Sequence, residues 1–283
     1  MEKFQLVQPS KLLRPYVKQY WFLAIDNAER SSQRYVPSGC AVLAFHRGDK
    51  IYSTLHQEMQ PRSSLCGQSV SYTDVVYSGN LNLVMVVFQP VAARGVLGIP
   101  MNNLRDKNVY VELLGDASLI ELEKWIMETE DNNQCVYLIE QYLLKKLYGL
   151  TSERFARMNA VVQSINNGQQ DITELSQSAC LGYKQFKRVF AEYTGLNPKE
   201  FLQIARFRNA LHCLHAGSQI RLNQLAYDWG YCDKSHLIKD FKTFMGYTPK
   251  EYLSICDSYS EYLSLFNSVF INGERNFLLL SSS

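Results

Sequence analysis

Phe190 to Leu202 reads FAEYTGLNPKEFL, and 51 residues later Phe241 to Leu253 reads FKTFMGYTPKEYL. Phe190, Gly195, Pro198, Lys199, Glu200 and Leu202 recur as Phe241, Gly246, Pro249, Lys250, Glu251 and Leu253, so a small unit has been duplicated. Each copy predicts the end of one helix and the start of another. Gly195 and Gly246 suit the left-handed residue that closes a helix. Asn197-Pro198-Lys199-Glu200 and Thr248-Pro249-Lys250-Glu251 supply a cap, a proline at the first helical position and a glutamate at the third. Upstream, Asp171-Ile172-Thr173-Glu174 is another capping-box start with Leu175 on the apolar face, and Leu222, Leu225 and Ala226 before Gly230 are its counterpart. A short helix, a tight turn and a second helix make a helix-turn-helix, here twice.

The second helix of each pair carries the functional reading. From Tyr183 to Tyr193 the apolar residues Phe186, Val189, Phe190 and Tyr193 are spaced three and four apart, so Lys184, Gln185, Lys187 and Arg188 point outward. From Asp233 to Phe244 the inward set is Leu237, Phe241 and Phe244, and Lys234, Ser235, Ile238, Lys239 and Lys242 occupy the outer faces. A recognition helix needs this division, because one side anchors to its domain while the other offers donors to base edges and phosphates. The stretch from Pro198 to about Ala216 predicts a connecting helix of roughly 18 residues, about 27 Å long. That length approaches the ~34 Å between successive major grooves on one face of a duplex. One chain is therefore expected to present two reading heads, unequally engaged if the connector is rigid.

These residues resemble the AraC/XylS family of bacterial transcription regulators. The resemblance is carried by ITELSQSACLGYKQFKRVF (172–190), by Gly195-Leu196-Asn197-Pro198, and most strongly by LAYDWGYCDKSHLIKDFKTFMGYTPKEYL (225–253). It implies that Lys184, Lys187 and Arg188 in the first unit, and Lys234, Ser235, Ile238 and Lys239 in the second, face DNA bases, with Gln185 and Lys242 beside phosphates. The first unit departs from the second by one residue and has Ala179-Cys180-Leu181 where the second has its glycine turn. The start of the first recognition helix is open by a residue at this point.

Composition bounds the rest. The chain of 283 residues, 46% hydrophobic and 20% charged, is expected to fold as about two domains. Met1 to Lys11 is polar rather than a secretory start, and no apolar run approaches the ~18 residues of a membrane helix, so a cytoplasmic protein is expected. Seven cysteines without a CxxC pair suit reduced thiols, mostly buried fillers. Cations and acids balance at 15 each in residues 1–150, while 11 cations meet 8 acids in 171–254. Bulk charge is thus mild, and the case for DNA rests on cations clustered on the recognition faces.

The first 100 residues are patterned differently. Tyr20–Ala24, Cys40–Phe45 and Leu83–Phe88 are short runs of Val, Leu and aromatic residues bounded by Pro, Gly, Asn or Ser, as strands are. Helical patterning returns at Leu119–Glu130, Val136–Tyr148 and Phe155–Ile165. The expected architecture is multi-domain α+β. Residues 1–150 form a β-rich effector-binding or dimerisation domain with following helices. Residues 151–256 form an all-α double helix-turn-helix domain joined by a long helix, and 257–283 an extra helix (Tyr259–Phe270) and loose tail. LRPYVKQYW (13–21), Val36-Pro37-Ser38-Gly39 and Val87-Phe88-Gln89-Pro90 resemble the ligand-sensing domains that precede the DNA-binding part in AraC-family regulators, which implies a small-molecule sensor or a dimerisation module. Operator DNA is the partner implied, with a small-molecule effector, a second copy of the chain and RNA polymerase as further candidates.

Enzymatic readings find little support. His46 and His56 lack a nearby third metal ligand, no GxSxG, P-loop or dinucleotide glycine pattern occurs, and Cys40 or Cys66 beside a glycine lacks a placed histidine. No cofactor or metal is expected. Trp21, Trp125 and Trp229 are read as core residues rather than a ligand cage, as is the Tyr16, Tyr20, Trp21 cluster.

Overall fold

Side-chain alternation shapes the N-terminal half of the computed structural model, which describes residues 2–147, 153–216, 221–255, 268–270 and 278–279. The strands are β1 (Glu2–Val7), β2 (Val17–Tyr35), β3 (Val42–His46), β4 (Tyr52–Ser53), β5 (Glu58–Met59), β6 (Ser63–Cys66), β7 (Thr73–Phe88) and β8 (Asn108–Tyr110), with β9 (Ser268–Phe270) and β10 (Leu278–Leu279) from the chain end. Their order is β10-β1-β2-β7-β3-β6-β8, with β4 on β7 and β5, and β9 on β2. All pairs are antiparallel except β1 with β10. Successive residues point to opposite faces. Tyr20, Phe22, Leu43, Phe45, Val84 and Val86 pack toward the helices, whereas Trp21, Leu23, Ala44, Leu83, Met85 and Val87 line the other side of the same sheet. A one-residue slip would exchange these sets, so the register is strongly specified.

Two strands are far longer than their sequence signals. β2 runs on through Asp26 and Asn27, and β7 through Gly79 and Asn80, because register shifts between Ile25 and Ala28 and between Ala28 and Ser31 absorb the extra residues as bulges. Gly79, at φ +80°, supplies the backbone bend on the partner strand. Turn-forming residues here bend a long antiparallel strand pair and do not end it.

Helices α1 (Ala92–Leu97), α2 (Ala117–Glu128) and α3 (Asn132–Leu147) cover one face of the sheet. Asp116 caps α2 by accepting from the amides of Ser118 and Leu119 and also meets Lys146 at 2.6 Å. The C-terminal part is all helical: α4 (Glu153–Asn166), α5 (Ile172–Ser178), α6 (Tyr183–Thr194), α7 (Pro198–Ala216), α8 (Leu222–Asp228), α9 (Lys234–Met245) and α10 (Pro249–Ile255). Tyr16 stacks on Phe155 at 5.2 Å and so packs the two parts together at the start of α4.

Several expectations need correction. The extra helix does not reach residue 270, since Ser268–Phe270 pairs with Gln33 to Tyr35; the alternating Ser-Val-Phe suits an edge strand. Residues 259–267 lie outside the described residues, as do most of the expected loose tail and the join at 148–152. Trp125 is 52% exposed on the outer side of α2 and is no core residue, whereas Trp21 is buried in the core and also lines the cavity on that face of the sheet. Tyr20 and Trp21 point to opposite faces and form no shared cluster. Cys40 and Cys135 are buried, but Cys180 and Cys232 are exposed, because both sit in the turns of the helix pairs where no core reaches.

Candidate nucleic-acid interface and N-terminal cavity

Helices α6 and α9 are closed and followed by the devices their sequences encode. Gly195 (φ +82°) and Gly246 (φ +79°) donate back to the carbonyls of Ala191 and Lys242. The capping boxes are complete and reciprocal. Asn197 accepts from the Glu200 amide while Glu200 accepts from the Asn197 amide, both at 3.0 Å, and Thr248 and Glu251 repeat the exchange. At the other end Asp171 caps α5 and Asp233 caps α9. The one-residue difference between the units falls in the first turn. Cys180 takes the left-handed conformation (φ +54°) that Gly230 takes in the second unit, and a single residue, Leu181, rather than Tyr231-Cys232, then leads to the next helix.

On α6, Phe186, Val189, Phe190 and Tyr193 are buried and Lys184, Gln185, Lys187 and Arg188 are exposed. On α9, Leu237, Phe241 and Phe244 are buried, Lys234, Ser235, Lys239 and Lys242 are exposed, and Ile238 is half-buried. None of these six cations is in an ion pair among the described residues. Helix α7 fixes the two units to one another: Phe201 meets Phe190 edge-on at 5.4 Å, and Phe207 meets Phe241 at 5.0 Å and Phe244 at 5.2 Å.

Asp240 is a polar residue on the inner side of α9, 5% exposed, and burial pushes its carboxyl above the usual carboxylate range against the nearby His236 and Arg206. Arg206 of α7 lies 5.2 Å over the Tyr231 ring and donates to the Gly230 carbonyl, while Tyr231 meets His236 edge-on at 5.1 Å. This polar knot sets the second turn against the connecting helix. His236 therefore packs at the first turn of α9; no cluster of three metal-ligating side chains occurs among the described residues.

Four arginines tie the N-terminal domain to both units. Arg34 on β2 pairs bidentately with Asp74, its cross-strand partner on β7, at 2.6 and 2.7 Å. It also donates to the Met245 carbonyl at 2.8 Å and lies over the rings of Tyr72 and Tyr247. Arg94 of α1 takes Glu192 of α6 at 2.8 Å, and Arg105 takes Glu200 of α7 at 2.8 Å. In the reverse direction Arg208 of α7 donates to the Ser38 carbonyl and to Asn166. The same two glycine turns that close α6 and α9 are the docking points: a Cβ on Gly195 would lie 3.2 Å from the Met101 carbonyl oxygen, and one on Gly246 would lie 2.5 Å from Arg34 Nη1.

The sheet face opposite the helices lines a partly open cavity of about 180 Å³. Its floor is Trp21, Ala44, Val75, Met85 and Val87, and its walls include the loops around Ser38 and Gln68. His46 at the end of β3 is buried inside it, and burial, followed by the nearby Arg62, holds its imidazole down at about 4. Neither His46 nor Gln68 was singled out by the sequence as a ligand-facing residue; both become so only when three strands and two loops come together.

Residues 175–255 match the family model described as a helix-turn-helix domain. They form a helix-turn-helix domain. Residues 5–110 match a second model, described as a domain of unknown function (DUF6597). An uncharacterized HTH-type transcriptional regulator of Haemophilus influenzae is 26% identical over 137 residues, which are 46% of this chain and 45% of that protein. The match thus spans about half the length of the curated relative. Among solved structures, ToxT from Vibrio cholerae aligns with 89% of this chain and 98% of its own at 12% identity and a TM-score of 0.43. Wild-type ToxT of that species bound to unsaturated fatty acid covers 83% and 94% at 14% identity and 0.42. Within the helix-turn-helix domain, the apolar faces of α6 and α9 are buried against α7 and its neighbours, and the exposed cations lie on the faces left over. No described helix is long and apolar enough to cross a membrane.

Proposed function

We propose that the chain is a sequence-specific DNA-binding transcription regulator whose N-terminal domain takes a small-molecule effector. The observation that supports it most is the pair of helices α6 and α9, each buried on one side, each presenting cations on the other that are in no ion pair among the described residues, and both held by α7. Lys184, Lys187 and Arg188 of α6 and Lys234, Ser235, Ile238 and Lys239 of α9 are the base-facing set in this reading. Gln185 and Lys242 neighbour phosphates. Direct readout by such side chains discriminates bases by about 1–3 kcal/mol per bidentate contact. The Asp240 knot and the capping boxes then act as positioning devices, since they fix the angle at which each helix meets the groove.

Effector control is supported by the cavity and by the arginine ties. A concave, mostly apolar space with a few polar groups is the usual form of a small-molecule site. The loops that wall it carry Ser38, Gln68 and Tyr72, which also touch the DNA-binding part. A ligand that favours one arrangement of those loops shifts the heads, and operator DNA must alter ligand affinity by the same factor. The second reading is an N-terminal domain that only dimerises or contacts RNA polymerase; the buried, partner-seeking polar groups in the cavity favour the first. The site of action would be the cytoplasm, where the chromosome is. Selection of bound sequences from random duplex DNA by the purified chain tests the proposal: a defined consensus longer than one major-groove contact is expected, and no enrichment over random sequence would overturn it.

A further inference from the structure

Of the four arginines that join the two parts of the chain, three take a carboxylate: Arg34 takes Asp74, Arg94 takes Glu192 and Arg105 takes Glu200. The fourth takes none. Arg208 of α7 donates to the Ser38 carbonyl at 3.1 Å and to the Asn166 side-chain oxygen at 2.8 Å, both neutral, and is in no ion pair among the described residues. It lines a recess of about 250 Å³ between the two parts, and Lys18 of β2 lines the same recess from the N-terminal domain. Lys18 is half-buried, and its ammonium has no hydrogen-bond or ion-pair partner among the described residues. Burial holds that ammonium below the ordinary lysine value, with Cys40 opposing the shift and Arg208 adding to it. Gln89, Asn166 and Asn209 contribute amides and His212 an exposed imidazole; Cys40 and Pro90 complete the lining, which includes no acidic side chain. A charge taken out of water is kept at low cost only where it is paired. Two such cations in one recess without an acid mark a place where the counter-charge comes from outside the chain.

We propose that this recess binds a compact oxyanion of two negative charges, a phosphate ester or a dicarboxylate, held between Lys18 and Arg208. The two charges follow from the two cations. The oxygens follow from the guanidinium, whose planar set of donors matches carboxylate and phosphate and is only partly used by Ser38 and Asn166. The size follows from the volume, about 250 Å³: a cavity of ~150 Å³ holds benzene, so this one admits on the order of ten non-hydrogen atoms. The recess shares only Cys40 with the lining of the N-terminal cavity, and its side chains are mostly polar. It is a second site and not a branch of the first. A regulatory consequence rests on the regulator reading above. Lys18 belongs to the sheet and Arg208 to α7, the helix that packs against both α6 and α9, so an anion between them favours the arrangement in which sheet and α7 are held together. Operator DNA then alters anion affinity by the factor by which the anion alters operator affinity.

Isothermal titration of the full chain at constant ionic strength, with inorganic phosphate, succinate, octanoate and butane-1,4-diol as probes, tests the site. Phosphate or succinate is expected to bind saturably, roughly tenfold or more tighter than the uncharged diol and tighter than octanoate, which brings one charge and an alkyl chain. Lys18→Met removes a desolvated charge without a partner, so the variant is expected to fold with a raised thermal midpoint and to bind the better dianion about tenfold more weakly. Lys18→Arg keeps the charge and is expected to stay within about threefold of the parent chain. Arg208→Met is expected to weaken the same anion by about tenfold; it also gives up the bonds to Ser38 and Asn166, so Lys18→Met is the deciding variant. No saturable binding of either dianion, octanoate binding tighter than both, or an affinity indifferent to Lys18→Met, as for anions held at the exposed lysines of α6 and α9, would overturn the proposal. Operator affinity measured in the same samples separates the two readings. Anion bound through Lys18 with operator affinity unchanged supports the site and removes its part in regulation, whereas no anion binding by a chain that still selects a DNA consensus overturns the site and leaves the regulator standing.

Discussion

Arg34→Ala should loosen the second reading head from the N-terminal domain. The side chain is 10% exposed and makes two bonds to Asp74, one to the Met245 carbonyl, and stacks between two tyrosines. Removing one partner of a buried pair costs about 3–5 kcal/mol. Asp74 is 24% exposed and can recover some hydration, which brings the expected loss to about 2–3 kcal/mol. Urea unfolding followed by circular dichroism gives the loss, and amide hydrogen exchange around Gly246 locates it. Arg34→Lys should recover little, because an ammonium cannot make the paired fork to Asp74 while also reaching Met245. The cycle of Arg34→Ala with Asp74→Ala isolates the pair, and its coupling should exceed about 1 kcal/mol. A loss under about 0.5 kcal/mol with unchanged exchange at Gly246 would refute the claim that Arg34 holds the domains together.

Arg188→Ala is expected to weaken specific binding by about 1–3 kcal/mol and relax preference in one half-site; competition against mutated operators checks it, and equal loss on every sequence would demote Arg188 to a phosphate contact. His46 takes up its proton only near pH 4 in the folded chain, against about 6.5 when unfolded. The unfolded state therefore binds more protons between those values, stability falls as pH drops from about 6.5 to 4, and His46→Phe should flatten that part of a stability–pH curve. Gly246→Ala forces a side chain onto a φ of +79° and against Arg34, so a loss of about 1–3 kcal/mol is expected in the same urea assay; Gly168→Ala, at φ +100° but with open space around it, should cost only the backbone part.

The C-terminal domain was legible because its signals are local. Asp171, Asn197 and Thr248 cap helices within four residues of themselves, and Gly195 and Gly246 close helices one residue away, so spacing along the chain carries the whole interaction. The long strands were not legible, because Asp26-Asn27 and Gly79-Asn80 read as turns until their register across β2 and β7 is known. The docking arginines were hidden for a similar reason. Arg34 in Gln33-Arg34-Tyr35 looks like an outward strand residue, and only the cross-strand position of Asp74 and the approach of Met245, 211 residues away, give it a role. Ile238 was assigned to an outer face by helical spacing, yet it is half-buried. The position of Leu181 in the turn, which leaves α6 and α9 aligned, required the left-handed Cys180 to be seen.

In a two-headed regulator α6 and α9 both read DNA. Chemical footprinting of the full chain on a selected duplex, repeated with Arg188→Ala and with Lys239→Ala, measures this. Two protected major-groove segments about one helical turn apart are expected, with Arg188→Ala weakening one and Lys239→Ala the other. Protection confined to a single groove, or both substitutions weakening the same segment, would contradict it.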